Sequence, residues 1–267
     1  MGVGGHVRGL GERSIAELIA ATLSDDESDE GAEQELGSRD PEAVLRALAP
    51  LTRAPGERER ARAADVLAKL GTSDAAFRTR CVDVILAALA LEKSVPVLWS
   101  MACALGHFED PRIVDALWPL QAHPSVTVRL AVVFGLPTSP DGVAALIERS
   151  KDSDVDVRSW ATFELAAAPV DTEAVREAFL ARLADADPEV RGEALVGLAR
   201  RRDPRTRAAL ERELAASFDD LALDAACELA DPALLPCLRA LQSSVRGEAW
   251  SGACSRAIEV LDSQVTR

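Results

Sequence analysis

A nine-residue segment returns along this chain about every 30 residues, and a period of that length commits a chain to stacking similar units, each burying its apolar face against the next. VRLAVVFGL (128–136), VRSWATFEL (157–165) and VRGEALVGL (190–198) align Val, Arg and Leu without a gap. VLWSMACAL (97–105) and LALDAACEL (221–229) fit the same frame, with Leu98 and Ala222 in place of Arg. The steps between successive Arg positions are 31, 29, 33 and 31 residues. A weaker copy starts at Arg60 in RARAADVLAKLG, and VRGEAWSGA (245–253) reads as a shortened last one.

Each unit carries two amphipathic helical patterns. Val157, Ala161 and Leu165 recur at i, i+4 and i+8, and TEAVREAFLARL (172–183) places Val175, Phe179 and Leu183 likewise. Asp-Pro stands at 40, 110, 187, 203 and 231. An Asp oxygen at an N-cap accepts an orphan N–H, and Pro at the first helical position has no N–H to leave unpaired, so these dipeptides mark helix starts. No alternating β-branched run occurs, which argues against a sheet. The expected fold is all-α.

Composition narrows the function classes. No apolar stretch reaches the length of a membrane span, and the start MGVGGHVRGLGERS lacks the apolar run of a signal peptide, so a soluble, cytoplasmic protein is expected. His6 stands where a myristoylation signal wants Ser or Thr. Five cysteines without a C-x-x-C pair read as reduced thiols. A net charge of -14 argues against nucleic-acid binding. Only three of the 30 basic residues are lysines, a skew read as coding bias.

The unit D-x-D-x-x-V-R-x-x-A-x-x-x-L, followed by Asp-Pro and a second apolar helix, resembles the HEAT repeat of the short bacterial type, which also occurs in phycobilin lyase subunits; DADPEVRGEALVGLARRRDPR (185–205) is close to a consensus copy. The resemblance covers roughly residues 57 to 241. It implies an α-α superhelix of about six helical hairpins, with the V-R helix of each pair lining a concave surface. It also implies that Arg129, Arg158 and Arg191 form a ladder with aspartates of the inter-helix turns, here Asp154 and Asp187. Residues 1–40 are expected to form an N-terminal extension with a capping helix at 15–23 and an acidic flexible segment, and residues 41–267 the solenoid, closed by a helix at 245–260.

Several polar clusters fall within or beside that frame. Asp152, Asp154 and Asp156 have the spacing of a calcium loop, but Val157 replaces its glycine and Phe163 its bidentate glutamate, so helix capping is the expected role and no metal is predicted. Trp160 and Glu164 lie four apart and off the apolar stripe. With Glu193, Asp224 and Glu228 at equivalent positions they predict an acidic stripe on the concave face with an aromatic at one end and Trp99 nearby, a composition suited to a protein interface. SDDESDEGAEQE (24–35) has seven acids and no base, and is expected to be disordered, with docking of a basic partner as an alternative. ARRRDPRTR (199–207) suits a helix C-terminus, with a phosphate patch as the alternative.

No serine-hydrolase, zincin or P-loop motif is present, and none of His6, His107 or His123 precedes the Glu that an iron-binding deoxyhypusine hydroxylase needs. The expectation is a monomeric, non-enzymatic scaffold or adaptor without a cofactor, binding a protein partner, with a basic segment as a candidate target, and binding neither nucleic acid nor membrane. The alternative is a lyase-like or chaperone-like subunit holding a tetrapyrrole or other small ligand in the groove.

Overall fold

The structure, a computed structural model, describes residues 13–23, 30–73, 75–216, 220–244 and 248–265. Among the described residues the chain forms sixteen α-helices, joined in three places by short 3-10 turns, and no strand. The helices fall into two compact units, Met1–Pro137 and Thr138–Arg267.

The first unit contains α1 (Ile15–Thr22), α2 (Glu30–Gly37), α3 (Pro41–Leu48), α4 (Glu57–Ser73), α5 (Ala75–Leu89), α6 (Val95–Leu105), α7 (Arg112–Leu117) and α8 (Val126–Gly135). Helix α1 starts with a capping box: the Ser14 hydroxyl accepts from the Glu17 N–H, and the Glu17 carboxylate accepts from the Ser14 N–H at 2.8 Å. Helix α3 starts as its Asp-Pro predicts, the Asp40 carboxylate accepting from the Ala43 N–H. The repeat helices α4, α6 and α8 pack side by side in one row, with α5 against α4 and α6, and α7 against α8. Gly135 lets two of them approach closely, since a Cβ there would lie 2.7 Å from the Ala102 carbonyl oxygen.

Part of the acidic run expected to be disordered is helix α2. Glu33 meets Arg62 at 2.5 Å and also Lys69, while Glu35 meets Arg39 at 2.5 Å and Arg13 at 3.4 Å. The bases that offset the run lie outside it, which a reading of the run alone misses. Asp25, Asp26, Glu27 and Asp29 lie outside the described residues.

The second unit contains α9 (Pro140–Arg149), α10 (Val155–Ala167), α11 (Glu173–Arg182), α12 (Pro188–Arg200), α13 (Thr206–Ala216), α14 (Asp220–Leu229), α15 (Leu235–Ser244) and α16 (Glu248–Val265). The V-R helices α10, α12 and α14 form a row that α16 extends, and α9, α11, α13 and α15 form a second layer behind it. The predicted stripes face the core: Val157, Ala161, Leu165, Val175 and Phe179 are buried, and Leu183, at the end of the second stripe, is half-buried. Each apolar face is covered by a neighbour in its row and by the layer behind, as stacked repeats require.

Candidate functional site

Asp152 and Asp154, and one repeat later Asp185 and Asp187, shape loops and helix starts. Asp152 accepts from the Asp154 N–H at 2.9 Å and Asp154 from the Asp156 N–H at 3.0 Å. One repeat later Asp185 accepts from the Asp187 N–H at 3.1 Å, and Asp187 from the N–H groups of Glu189 and Val190 at 2.9 and 3.3 Å. These oxygens are committed to backbone donors at helix N-termini. Among the described residues no group of three His, Cys, Asp or Glu side chains is placed to hold a metal ion.

The repeat arginine closes each unit that carries it in a fixed way. One guanidinium nitrogen donates to the carbonyls six and five residues earlier: Arg60 to Ala54 and Pro55, Arg129 to His123 and Pro124, Arg158 to Asp152 and Ser153, Arg191 to Asp185 and Ala186. The remaining nitrogens reach forward. Arg158 holds Asp185 through two 3.0 Å bonds, Arg191 holds Glu213 at 2.8 Å, and Arg60 holds Glu92 at 2.7 Å. A ladder is present, but its hydrogen-bonded acids are not the Asp154 and Asp187 implied by the resemblance. Those two are caps, and their oxygens face their own helix. Burial works to raise the Asp185 pKa, but Arg158, the Asp187 N–H and Arg182 outweigh it and hold the carboxyl below its usual range.

The arginine cluster at 199–207 is likewise internal. Arg201 donates to the carbonyls of Leu165, Ala168, Val170 and Gly197, and its guanidinium lies 5.0 Å from the centre of the Phe179 ring. Arg205 binds Asp203 and Glu177, Arg207 binds Asp231, and Arg200 binds Glu228. Of the five arginines that a phosphate patch would offer, Arg200, Arg201, Arg205 and Arg207 are thus engaged with carboxylates and carbonyls, while Arg202 is exposed.

Trp160, Asp224 and Glu228 are exposed on the V-R row, but Glu164 is half-buried and Glu193 is only 8% exposed. The expected continuous acidic stripe is thus broken. A helix inside the row meets neighbours on both sides, and α12 buries Gly192, Glu193 and Gly197 as well as its predicted apolar stripe. Gly197, the counterpart of Glu164, sits so close to Phe179 that a Cβ would lie 2.5 Å from the ring. Burial raises the Glu164 pKa. Glu193 is pushed up to about 7, first by burial and then by repulsion from Glu189 and Asp224, against which Arg200 acts.

Sequence reasoning passed over Phe163. Its ring meets Trp160 edge-on, with centroids 5.5 Å apart at 81°, and both are exposed, at 41% and 44%. The i, i+3 spacing of two aromatics off the core stripe was the available signal. Trp99 lies in the first unit, half-buried, with its ring edge-on to Phe134 at 5.6 Å.

One further constellation bears on catalysis. Cys103 on α6 and His107 in the turn that follows it both interact electrostatically with Asp65 of α4. The Cys103 thiol is nonetheless pushed up to about 11, by burial and then by Asp65, which is the reverse of what a thiolate nucleophile requires. Among the described residues no helix is long and apolar enough to cross a membrane.

The family model for HEAT repeats matches residues 143–231, within the second unit. Protein YibA of Escherichia coli K12 is 35% identical over 140 residues, 51% of this chain and 50% of that protein, so the matched stretch spans half the length of this relative. The crystal structure of YibA superposes with a TM-score of 0.69 at 23% identity, over 95% of this chain and 94% of that one. The condensin Cnd3–Cnd2 subcomplex of S. pombe gives a TM-score of 0.57 at 18% identity, covering 93% of this chain and 37% of that one. Together with the row of V-R helices and their repeated arginine bonds, these similarities show an all-α fold of the HEAT-repeat type, with HEAT repeats at residues 143–231.

Proposed function

We propose that the chain is a non-enzymatic adaptor whose second unit binds a basic segment of a protein partner on the V-R helix row. The observation that carries this reading is the exposed Trp160–Phe163 pair on α10, in a fold whose other large side chains go mostly to the core. Aromatic side chains supply much of the energy of protein interfaces, and an exposed apolar cluster rimmed by charge marks a contact surface. Asp156, Asp224 and Glu228 are exposed on helices of the same row and favour a cationic partner. The raised thiol pKa of Cys103 supports a non-catalytic role. The ends of the chain fit the role of caps, with α1 and α2 of the N-terminal 40 residues covering α3 and α4, and α16 covering α14 and α15.

Affinity capture from source-cell lysate tests the reading. Trp160→Ala combined with Phe163→Ala is expected to reduce recovery of the partner by at least about tenfold while helix content and melting temperature hold, the loss expected when interface anchors are truncated. Recovery unchanged by the double substitution would show that the partner binds elsewhere.

A further inference from the structure

The carboxyl group of Glu193 has no structural task. Among the described residues neither oxygen accepts a hydrogen bond from the protein; the residue is only 8% exposed, yet its oxygens keep contact with solvent. Burying most of a carboxylate costs stability that an apolar residue in its place would not; the copy two repeats earlier has Ala131 at the equivalent position and the preceding one has Trp160. The surroundings share one sign. Glu189 on the same helix and Asp224 on α14 act on Glu193 as like charges, and the one cation acting on it is Arg200. Arg200 is itself 43% exposed and donates to Glu228 at 3.2 Å, so its charge is shared with another carboxylate. Helix α10, which carries Trp160 and Phe163, packs directly on α12.

We propose that Glu193 is the recognition point for an arginine side chain of the partner's basic segment, with Glu189 and Asp224 reinforcing the negative potential around it. The proposal deepens the reading of the V-R row as a partner-binding face and rests on it. Two open oxygens on one buried carboxylate suit the two parallel N–H donors of a guanidinium, which is also more weakly hydrated than an ammonium and easier to bring into a dry site. The aromatic pair on the adjacent helix favours the same choice, since guanidinium groups stack on ring faces.

The test uses the full chain and two fluorescent octapeptides, one alternating glycine with arginine and one alternating glycine with lysine, followed by anisotropy at low salt. The arginine peptide is expected to bind at least about fivefold more tightly than the lysine peptide, reflecting bidentate pairing. Because only ionised Glu193 attracts the guanidinium, and its pKa stands at about 7, binding is expected to strengthen about tenfold from pH 6 to pH 8. Glu193→Gln, which keeps the shape and removes a penalised charge, is expected to abolish both the arginine preference and that pH dependence. Equal binding of the two peptides, no binding of either, or an arginine preference that survives in Glu193→Gln would overturn the proposal. Partner capture lost through Trp160 and Phe163 but unaffected by Glu193→Gln would remove the arginine assignment and leave the binding face standing.

Discussion

Arg201→Ala is expected to destabilise the second unit by about 3 kcal/mol, the range for leaving several buried acceptors without a charged donor. The side chain is 6% exposed and threads from the end of α12 back to the end of α10. Its donors satisfy the carbonyls of Leu165, Ala168 and Val170, which lie where the helix has run out of N–H partners of its own. A fourth bond, to Gly197, ties the guanidinium to its own helix, and the Phe179 ring lies beneath it. Alanine removes all of this and leaves a space that neither water nor a neighbour fills with equal donors. Lysine keeps the charge but not the planar fork, so Arg201→Lys is expected to recover less than half of the loss. Urea unfolding of the three proteins checks this, and a midpoint unchanged in the alanine variant would show that the carbonyls find other donors.

Glu193→Gln should act in the opposite direction and only at high pH. An unfolded glutamate titrates near 4.5, while Glu193 in the folded chain titrates at about 7. Between those values the folded state holds a proton that the unfolded state has released, so stability falls as pH rises through that interval. Below it both states are protonated and the penalty vanishes. Allowing for residual solvent contact at the carboxyl, the penalty at pH 8 is about 1–2 kcal/mol. Glutamine should therefore match the parent near pH 4.5 and exceed it at pH 8. Glu164 and Asp65 are shifted upward as well, so the parent's own pH profile mixes several groups, and the difference between parent and variant isolates Glu193. A difference that is constant with pH would mean that the carboxyl is not titrating in this interval.

The fold was legible because its determinants are periodic. The stripe Val157, Ala161 and Leu165 and the Asp-Pro starts at 40 and 187 depend on local spacing, and all occupy the predicted places. The ladder was legible as a set of arginines but not as a set of pairs. Asp185 and Asp187 both precede the same helix, and which one turns toward Arg158 depends on how the loop is wound. The face was the least legible. A helical wheel assigns one buried stripe to each helix, whereas a helix inside a stack is covered on two more sides. Glu193 falls under one of those neighbours and Trp160, at the same register one repeat earlier, does not. Phe163, read from the sequence only as the residue that replaces a calcium loop's glutamate, has a ring that is 41% exposed beside Trp160, whereas its counterpart Phe134 meets Trp99 in the first unit.

If the repeat frame is structural, the variable residues on α10 are the ones that meet the partner. Site-specific photo-crosslinking tests it most directly, with a benzophenone amino acid placed at Phe163 and, as a control, at the exposed Glu211 on the opposite layer. A protein adduct is expected from position 163, mapping to an arginine-containing segment and weakening as salt rises, with none from position 211. An adduct from 211 alone, or equal adducts from both positions, would contradict it.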